Sequence, residues 1–284
     1  MIKLNQQIIF EKQDLKHLDW AKVKNSPGTP GTFLKAYSEL AGKKTYYKLS
    51  DYDIVNGVVG HESVNEIIAD RLLTLLGIEH LSYRLIYADI ILDGRVHTTY
   101  VCASDDFKQR NEDKIALDIY YELERLDGET PFDFCVRSGW DEYIYQMLVV
   151  DFLILNRDRH GANIEVLRNK KKKTIRLAPL FDHGLSLLFS IKGDELAQND
   201  FDVLSDKKIQ CFVGSNSAYA NLELIPVEKL PNFEIPSKKE FDKIFADIDK
   251  ILDEALLSKI REMIWRRLEF YEDFRNKKRL GKKS

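Results

Sequence analysis

The sequence has few cysteines, no long apolar run and almost no net charge, and each shortage excludes a class of protein. Its three cysteines, Cys102, Cys135 and Cys211, lie far apart and form no CxxC pair. This argues against a disulfide framework or a zinc site and indicates a reducing compartment. No segment approaches the roughly 18 apolar residues of a membrane helix, and the first residues lack a secretory signal. We expect a cytoplasmic protein without a membrane span, although export without a signal would leave no trace in the sequence.

Charge and composition describe an ordinary globular chain without a preferred polyanionic partner. In 284 residues, 43 basic and 46 acidic side chains give a net charge of -3, and 44% of residues are hydrophobic. Such a balance gives no attraction to nucleic acid or anionic lipid as a whole, so direct nucleic-acid binding is not expected. Two local basic clusters, residues 170–173 and 275–283, are predicted to be a solvated turn and a frayed tail.

Strand patterns dominate the first part of the chain. Residues 33–37 and 44–49 are rich in aromatic and branched side chains, as in strands. Residues 83–92 and 96–102 are predicted to form a hairpin around Asp93-Gly94.

One helix interrupts these strands. Ser63, followed three residues later by Glu66, predicts an N-terminal capping box, and Gly77 predicts the C-terminal end. The apolar residues between them recur at helical spacing, so one face of this helix should be buried.

Helical patterns dominate the remainder, from about residue 108 onward. Residues 140–155 are apolar on most faces, which predicts a buried central helix. A second hairpin is predicted from residues 163–168 and 174–177, and helices again from residue 236 to about residue 275. We therefore predict an α+β fold with two lobes, joined near residues 103–107. The N-terminal lobe (1–104) would be mostly antiparallel β with one helix, and the C-terminal lobe (105–284) mostly α.

Asp158, Asn163 and Asp182 are the strongest candidates for chemistry. Asp158 and Asn163 follow directly on the predicted buried helix, and Asp182 follows the second hairpin. Phosphoryl transfer uses such a set: one Asp accepts the proton of the attacking hydroxyl, while an Asn and a second Asp hold Mg²⁺. Taken singly, each residue favours a structural role as a cap or turn residue. Together, in this order, they predict an ATP-dependent kinase.

Two histidines leave a different site open. His160 and His183 could join Asp158 and Asp182 as ligands of a transition metal in a hydrolase, because imidazole and carboxylate are common ligands there. Neither histidine belongs to an HxxH or HExxH pair, which weakens this alternative.

Lys48 and Glu66 are candidates for the ATP phosphates. Lys48 ends a predicted strand and Glu66 lies in the helix that follows, so the two side chains could form the lysine–glutamate pair of kinases. Taken alone, Lys48 would be interpreted as an ordinary surface lysine. The order of loop, strands and helix around it favours a role in phosphate binding.

The turn-rich segment 26–32 is the candidate phosphate loop. Its glycines would let the backbone approach the nucleotide, and its threonines could donate hydrogen bonds; the four residues concerned are Gly28, Thr29, Gly31 and Thr32. Pro27 and Pro30 remove two backbone donors, and no GK[ST] follows, so this is not a Walker loop. Read alone, the segment is as readily a simple turn.

Two segments resemble the HipA-like serine/threonine kinases. Residues 156–163 read NRDRHGAN and match N-x-D-x-H-x-x-N, and residues 177–182 read LAPLFD and match L-A-P-x-[YF]-D. The Asn65-Glu66 pair and the Lys48-Leu49 dipeptide also look like that family. The resemblance covers roughly residues 28–187, most of a kinase core.

The resemblance implies a two-lobed, protein-kinase-like fold and transfer of phosphate from Mg-ATP to a serine or threonine of an unidentified protein. Asp158 would be the catalytic base, and Asn163 and Asp182 the metal ligands. Lys48 and Glu66 would serve the phosphates. The remaining predicted nucleotide contacts are His160 and, at the adenine, Val101, Cys102 and Ala103.

Several features depart from that family or leave alternatives open. We expect the chain to lack the separate N-terminal domain of full-length HipA toxins, which puts a toxin–antitoxin partnership in doubt. Some relatives autophosphorylate a serine of the phosphate loop, for which Ser26 is the nearest match here. A kinase of phosphoinositides or small molecules shares the same core motif, and a nucleotide-binding pseudokinase is a third alternative.

Overall fold

The N-terminal part of the chain is built around a six-stranded sheet and one long helix. The computed structural model describes residues 7–22, 33–191 and 201–281. Its first elements, in chain order, are β1 (Ile8–Asp14), β2 (Ala21–Lys22), β3 (Leu34–Leu40), β4 (Lys43–Lys48), β5 (Tyr52–Asp53), β6 (Gly57–Val58), α1 (Glu62–Leu75), β7 (Tyr83–Leu92) and β8 (Arg95–Asp105).

The main sheet has the strand order β1-β7-β8-β4-β3-β2. Neighbouring strands are antiparallel, except that β1 runs parallel to β7. The predicted hairpin is confirmed: Asp93 and Gly94 have φ of 50° and 74°, the left-handed pair that a two-residue hairpin turn requires. Strand β4 lies between β3 and β8. Lys48 of β4 is therefore directly opposite Lys35 of β3 and Cys102 of β8.

Helix α1 differs from its prediction at the N-terminus. It begins at Glu62, and His61 occupies the N-cap position without a side-chain cap bond. The predicted capping box is therefore wrong: Ser63 donates its hydroxyl to the Lys48 carbonyl, and Glu66 turns inward to partners far along the chain. The predicted end at Gly77 is confirmed, since Gly77 has φ of 69° and the next amide bonds back to Leu73 at 2.9 Å.

The C-terminal part is mainly helical. Its elements are β9 (Glu112–Ala116), α2 (Leu117–Glu124), α3 (Pro131–Arg137), α4 (Asp141–Leu153), β10 (Asp158–Arg159), β11 (Glu165–Asn169), β12 (Thr174–Leu177), β13 (Gln210–Cys211), α5 (Ala218–Glu223), α6 (Lys238–Asp242) and α7 (Glu254–Gly281). As predicted, α4 is buried along almost all of its length, and β11 and β12 form a hairpin.

Two predictions for this part need correction. The segment just after residue 108 is not helical. Its strand β9 pairs with β11, so that β9, β11 and β12 form a three-stranded sheet before α2 begins. The predicted frayed tail is helical through Gly281, since α7 spans 28 residues and Lys278 pairs with Glu223 at 2.5 Å.

The fold as a whole is mixed α+β, with a mainly antiparallel N-terminal sheet and a helical C-terminal region. One apolar core joins α1 to α4 and α7, and a smaller one lies on the other face of the large sheet. Within the described ranges, no helix is both long enough and apolar enough to cross a membrane.

Candidate functional site

The loop after α4 presents Asp158. Leu155 adopts a left-handed φ of 50°, which turns the chain out of the buried helix. Asn156 then holds the turn: its side-chain oxygen accepts from the Asp158 amide at 3.1 Å, and its nitrogen donates to Asp151 at 2.9 Å. From α7, the buried Arg267 donates to the carbonyl of Phe152 at 3.0 Å and fixes the end of α4. The backbone that carries Asp158 is thus anchored on both sides.

Arg159 lies behind this loop in a fully buried ion pair. Its guanidinium donates to both carboxylate oxygens of Asp151, at 2.9 and 2.8 Å. Burial alone would lower the pKa of Arg159, but Asp151 outweighs it and raises that pKa above its usual value. Arg159 Nη1 donates to the carbonyls of Asn163 at 3.1 Å and Phe181 at 2.8 Å. One side chain therefore ties the Asp158 loop to the segment that carries Asp182.

Asn163 closes a short 3₁₀ turn, and its amide nitrogen donates to the Asp158 carbonyl at 2.7 Å. This bond turns the side-chain oxygen away from that carbonyl. Gly161, inside the turn, lies against the start of α2, where a Cβ would come within 2.4 Å of the Asp118 Cβ. The five-residue spacing from Asp158 to Asn163 is thus set by a turn that requires glycine at its point of closest approach.

Asp182 is held in a left-handed conformation, with φ of 58°. Its amide donates to the hydroxyl of Tyr83 at 3.0 Å, and the next amide, of His183, donates to Glu66 at 2.8 Å. Burial would raise the pKa of Asp182, but the charges of Lys48 and Lys35 outweigh it and hold this pKa well below its usual range. Asp182 is therefore ionised at neutral pH.

Lys48 joins the large sheet, α1 and the Asp182 segment. Its ammonium lies 3.0 Å from Glu66 Oε1 and also contacts Asp182 Oδ1. Burial would lower the pKa of Lys48, but these two carboxylates outweigh it and raise that pKa above its usual value. Burial raises the pKa of Glu66, which has no solvent exposure. The lysine–glutamate pair expected from the sequence is present in the structure.

A cleft of about 490 Å³ opens beside this cluster. Lys48, Glu66 and Asp182 line one end; the rest of its wall includes Lys35, Tyr46, Ser104, Asp105, Phe107, Lys114, Glu165 and Phe181. The rings of Phe107 and Phe181 have centroids 5.5 Å apart. The cleft therefore combines the charged cluster of Lys48, Glu66 and Asp182 with a pair of aromatic rings.

Only part of the expected adenine wall faces this cleft. Cys102 lines it, whereas Val101 and Ala103 belong to the core on the other face of the sheet. Successive residues of a strand point to opposite faces, so these three consecutive residues could not all face one ligand. The predicted loop residues Gly28, Thr29, Gly31 and Thr32, with Ser26, lie outside the described residues.

The two predicted histidines occupy different environments. His160 Nε2 lies 3.8 Å from Asp158 Oδ2, and neither residue is among those that line the cleft. His183 is buried, and its Nδ1 lies 3.2 Å from an Arg159 nitrogen that can only donate, so Nδ1 accepts. Burial lowers the pKa of His183 well below its usual value. Over the described ranges, no group of three or more His, Cys, Asp or Glu is arranged to hold a metal by itself.

Asp158 differs from Asp182 in its electrostatic surroundings. Burial raises the pKa of Asp158, while the charge of His160 acts in the opposite direction and that of Asp182 adds to the increase. A carboxylate with a raised pKa accepts a proton more readily than an ordinary aspartate does. The two aspartates are therefore suited to different tasks.

Several site residues were not foreseen from the sequence: Lys35, Tyr83, Asp151, Arg159 and Glu165. Lys35 lies 4.0 Å from Asp182 and is opposite Lys48 in the β3–β4 ladder. A hairpin register drawn from the sequence could have indicated Lys35. Asp151 is a charge within an apolar helix, which by itself predicts a buried partner.

The donors of this site fit Mg-ATP. Mg²⁺ prefers oxygen ligands, usually one or two carboxylates together with phosphate oxygens, and Asp182 and Asn163 offer a carboxylate and an amide oxygen. Lys48 and Lys35 add positive charge at the same end of the cleft. The remaining ligands of such an ion would come from phosphate and water, as is usual for Mg²⁺.

Comparison with known proteins supports this fold. The structure is similar to the Helicobacter pylori proinflammatory kinase CtkA, with a TM-score of 0.58, 17% identity and coverage of 89% of this chain and 93% of that one. It is also similar to a chain in the Shewanella oneidensis MR-1 complex of the HipA, HipB toxin–antitoxin system with its operator DNA. There the TM-score is 0.51 with 14% identity, covering 90% of this chain and 67% of the other. No family model or curated protein matches the sequence.

At these identities the likeness concerns the fold. One neighbour is a kinase and the other belongs to a complex that contains HipA, so the fold implied by the resemblance of residues 156–163 and 177–182 is confirmed.

Proposed function

We propose that this protein is a Mg-ATP-dependent protein kinase of HipA-like type that phosphorylates serine or threonine. The observation that carries the proposal is the meeting of Lys48, Glu66 and Asp182 at one end of the cleft. These residues come from β4, α1 and the segment after β12, and the expected base and amide lie on the adjoining loop. A kinase needs this set of groups in this order.

Each side chain has a role that its surroundings support. Asp158 accepts the proton of the acceptor hydroxyl, for which its raised pKa is suited. Asp182 and Asn163 would hold the metal, and Lys48, fixed by Glu66, would hold the phosphates. Bound Mg-ATP supplies the transferable phosphoryl group and a metal ion that offsets its negative charge. Catalysis then rests on position and charge rather than on a covalent intermediate.

The nucleoside would lie beside the rings of Phe107 and Phe181 in the cleft. Cys102, Ser104, Asp105, Phe107 and Phe181 line the cleft there. Residues 1–104 and 105–284 would then be the two lobes, with the connection along this wall. The unidentified acceptor would approach from the side of Asp158 and His160.

The proposal is tested by incubating the protein with Mg²⁺ and γ-labelled ATP, alone and with a generic serine/threonine substrate. Asp158→Ala and Asp182→Ala serve as variants, and Asp113→Asn, an exposed carboxylate paired with Lys170, is the matched control. We expect label on protein with wild type and control, and a rate about 10²–10⁴ lower with either variant.

Other outcomes separate the alternatives. Labelled lipid or small molecule without labelled protein would indicate a different acceptor. Tight ATP binding with no transfer to any of these acceptors would indicate a pseudokinase. Failure to bind ATP at all would contradict the proposed function.

A further inference from the structure

A second, smaller cavity adjoins the loop that carries Asp158. It encloses about 180 Å³ and shares no lining residue with the nucleotide cleft. Part of its lining comes from the residues on either side of Asn156, and the rest from the segments 188–191 and 201–207. Small-molecule sites typically enclose about 300–1,000 Å³, so this cavity has room for a side chain rather than for a nucleotide.

Two basic side chains, Arg157 and Lys207, line this cavity among mostly apolar residues. Arg157 Nε donates to the Lys208 carbonyl at 3.2 Å, and its guanidinium carbon lies 5.7 Å from the centre of the Phe189 ring. The Lys207 ammonium lies 5.0 Å from the centre of the Phe201 ring. None of the described residues that line the cavity is acidic. The two positive charges therefore have a carbonyl and aromatic faces as neighbours there, and no carboxylate.

The charged groups of both side chains can be reached from the cavity. Arg157 and Lys207 are half-buried, and their nitrogens are not among the solvent-inaccessible polar atoms that lack a partner. The backbone of Arg157 is fixed, because its amide donates to the Leu185 carbonyl and its carbonyl accepts from the Gln210 amide, each at 3.0 Å. A ligand would therefore meet a guanidinium whose position is set before binding.

The chemistry of that ligand follows from charge and position. A carboxylate or phosphate group pairs with a guanidinium through two parallel hydrogen bonds, and a nearby ammonium adds attraction. The ATP phosphates have Lys48 and Lys35 in the other cavity. Arg157 directly precedes Asp158, where the acceptor hydroxyl would lie, and an extended peptide advances about 3.3 Å per residue. An acid that reaches Arg157 can therefore belong to the acceptor itself, a few residues from its hydroxyl.

We propose that Arg157 and Lys207 bind an acidic side chain of the protein acceptor, a carboxylate or a phosphate group, close in sequence to the hydroxyl that is phosphorylated. This proposal deepens the proposed function and rests on it, because Asp158 positions the acceptor. The two cations are then the residues that select acidic acceptors.

The test uses fluorescent peptides with one central serine in an alanine background. A single glutamate is placed at each position around the serine in turn, with glutamine, lysine and phosphoserine as replacements at the same position. Anisotropy measures binding without nucleotide, and γ-labelled ATP measures kcat/KM.

The variants are Lys207→Met, Lys207→Glu and Arg157→Met. The Lys207 side chain makes no hydrogen bond in the described ranges, so its variants test the site without removing a contact of the Asp158 loop. Lys238→Met is the matched control, because Lys238 is an exposed lysine whose ammonium lies 3.8 Å from the centre of the Trp265 ring.

We expect wild type and Lys238→Met to prefer glutamate over glutamine about tenfold at the best position, the scale of one hydrogen bond to a charged group. Lys207→Met and Arg157→Met should each reduce this ratio, and Lys207→Glu should shift the preference toward the lysine peptide. Added salt should weaken the preference, because partly exposed pairs are screened. Tighter binding of phosphoserine than of glutamate would identify phosphate as the preferred group, and the reverse order would identify carboxylate.

Two kinds of result would overturn the proposal, and they are distinguishable. Equal affinity and kcat/KM for glutamate and glutamine peptides at every position, or a preference that persists in Lys207→Glu, would refute the acidic site while label on the peptides leaves the kinase proposal intact. Failure of the wild type to bind ATP, or to label any peptide, would contradict the proposed function and the acceptor site with it.

Discussion

Two buried ionic clusters lie on opposite sides of the Asp158 loop, and they differ in what surrounds them. Lys48, Glu66 and Asp182 form the cleft cluster, in which the lysine side chain retains 14% exposure and Asp182 retains 21%. Arg159 and Asp151 form the inner cluster, with exposures of 1% and 4%. The cleft cluster can exchange partners with a ligand. In the described ranges the inner cluster contacts protein groups, including the carbonyls of Asn163 and Phe181, and so holds the backbone.

The comparison predicts that damage to the inner cluster costs mainly stability. In Arg159→Met, Asp151 keeps its charge and loses a bidentate partner in a fully buried position. We expect the free energy of unfolding to fall by about 3–5 kcal/mol, measured by urea denaturation. Adding Asp151→Leu should restore part of the loss, because it removes the stranded charge. Equal stability of single and double variants would mean that the ion pair does not hold the loop.

Damage to the cleft cluster should instead cost mainly activity. Lys48→Met is expected to lower the phosphoryl-transfer rate about 10²–10³-fold, as for loss of one charge-stabilising donor. Its free energy of unfolding should fall by only about 1–3 kcal/mol, because Glu66 already has a raised pKa and can bind a proton when the lysine is gone. The exposed Lys43→Met, on the same strand, is the control. A stability loss as large as that of Arg159→Met would remove the distinction between the clusters.

The turn between the clusters gives a smaller effect. In Gly161→Ala, the new Cβ would meet the Asp118 Cβ at 2.4 Å and its backbone nitrogen at 2.9 Å, so the turn or α2 must shift. We expect a loss of about 1–3 kcal/mol in the free energy of unfolding and a reduced turnover number at unchanged affinity for ATP. Gly281→Ala, whose Cβ meets nothing within 4 Å, should leave both quantities as they are.

The smallest effect is a shift of pH dependence. Asp158 must be ionised to accept a proton, so activity is lost as pH falls through its pKa, which burial raises. The charge of His160 partly lowers that pKa, and His160→Gln removes this contribution. The acidic limb of the kcat/KM profile should therefore move to higher pH, with His17→Gln as the control. A limb that moves to lower pH, or not at all, would argue against Asp158 as the base.

The local sequence predicted the elements that carry the site, and also the cleft pair. Lys48 and Glu66 could be matched because strand, turn and helix are adjacent in the chain, with a sequence separation of 18. The hairpin at Asp93-Gly94 and the end of α1 at Gly77 follow from backbone conformations that few residues adopt. Both are determined within a few residues, which is the range at which sequence patterns are informative.

What could not be predicted depends on contacts between distant segments. The Asp182 amide donates to the Tyr83 hydroxyl, 99 residues away in the sequence, and no local sequence pattern predicts that hydrogen bond. Strand periodicity assigns Val101 and Ala103 to one face and Cys102 to the other, but which face borders the cleft depends on where α1 packs. Glu66 fits a capping box by sequence, yet its tertiary partners take precedence over the local bond.

Long-range assembly also has a consequence for how the chain acquires its activity. The bonds that join Glu66 to His183 and Asn65 to Gly184 close loops of 117 and 119 residues. The entropy of closing such loops is lost before any of these bonds compensates for it, which makes them late events in folding. During refolding, nucleotide binding should therefore appear only with the final phase, after the α4 region has become helical. Stopped-flow measurements that follow a fluorescent nucleotide beside far-ultraviolet circular dichroism would separate the two events, and simultaneous appearance would contradict this order.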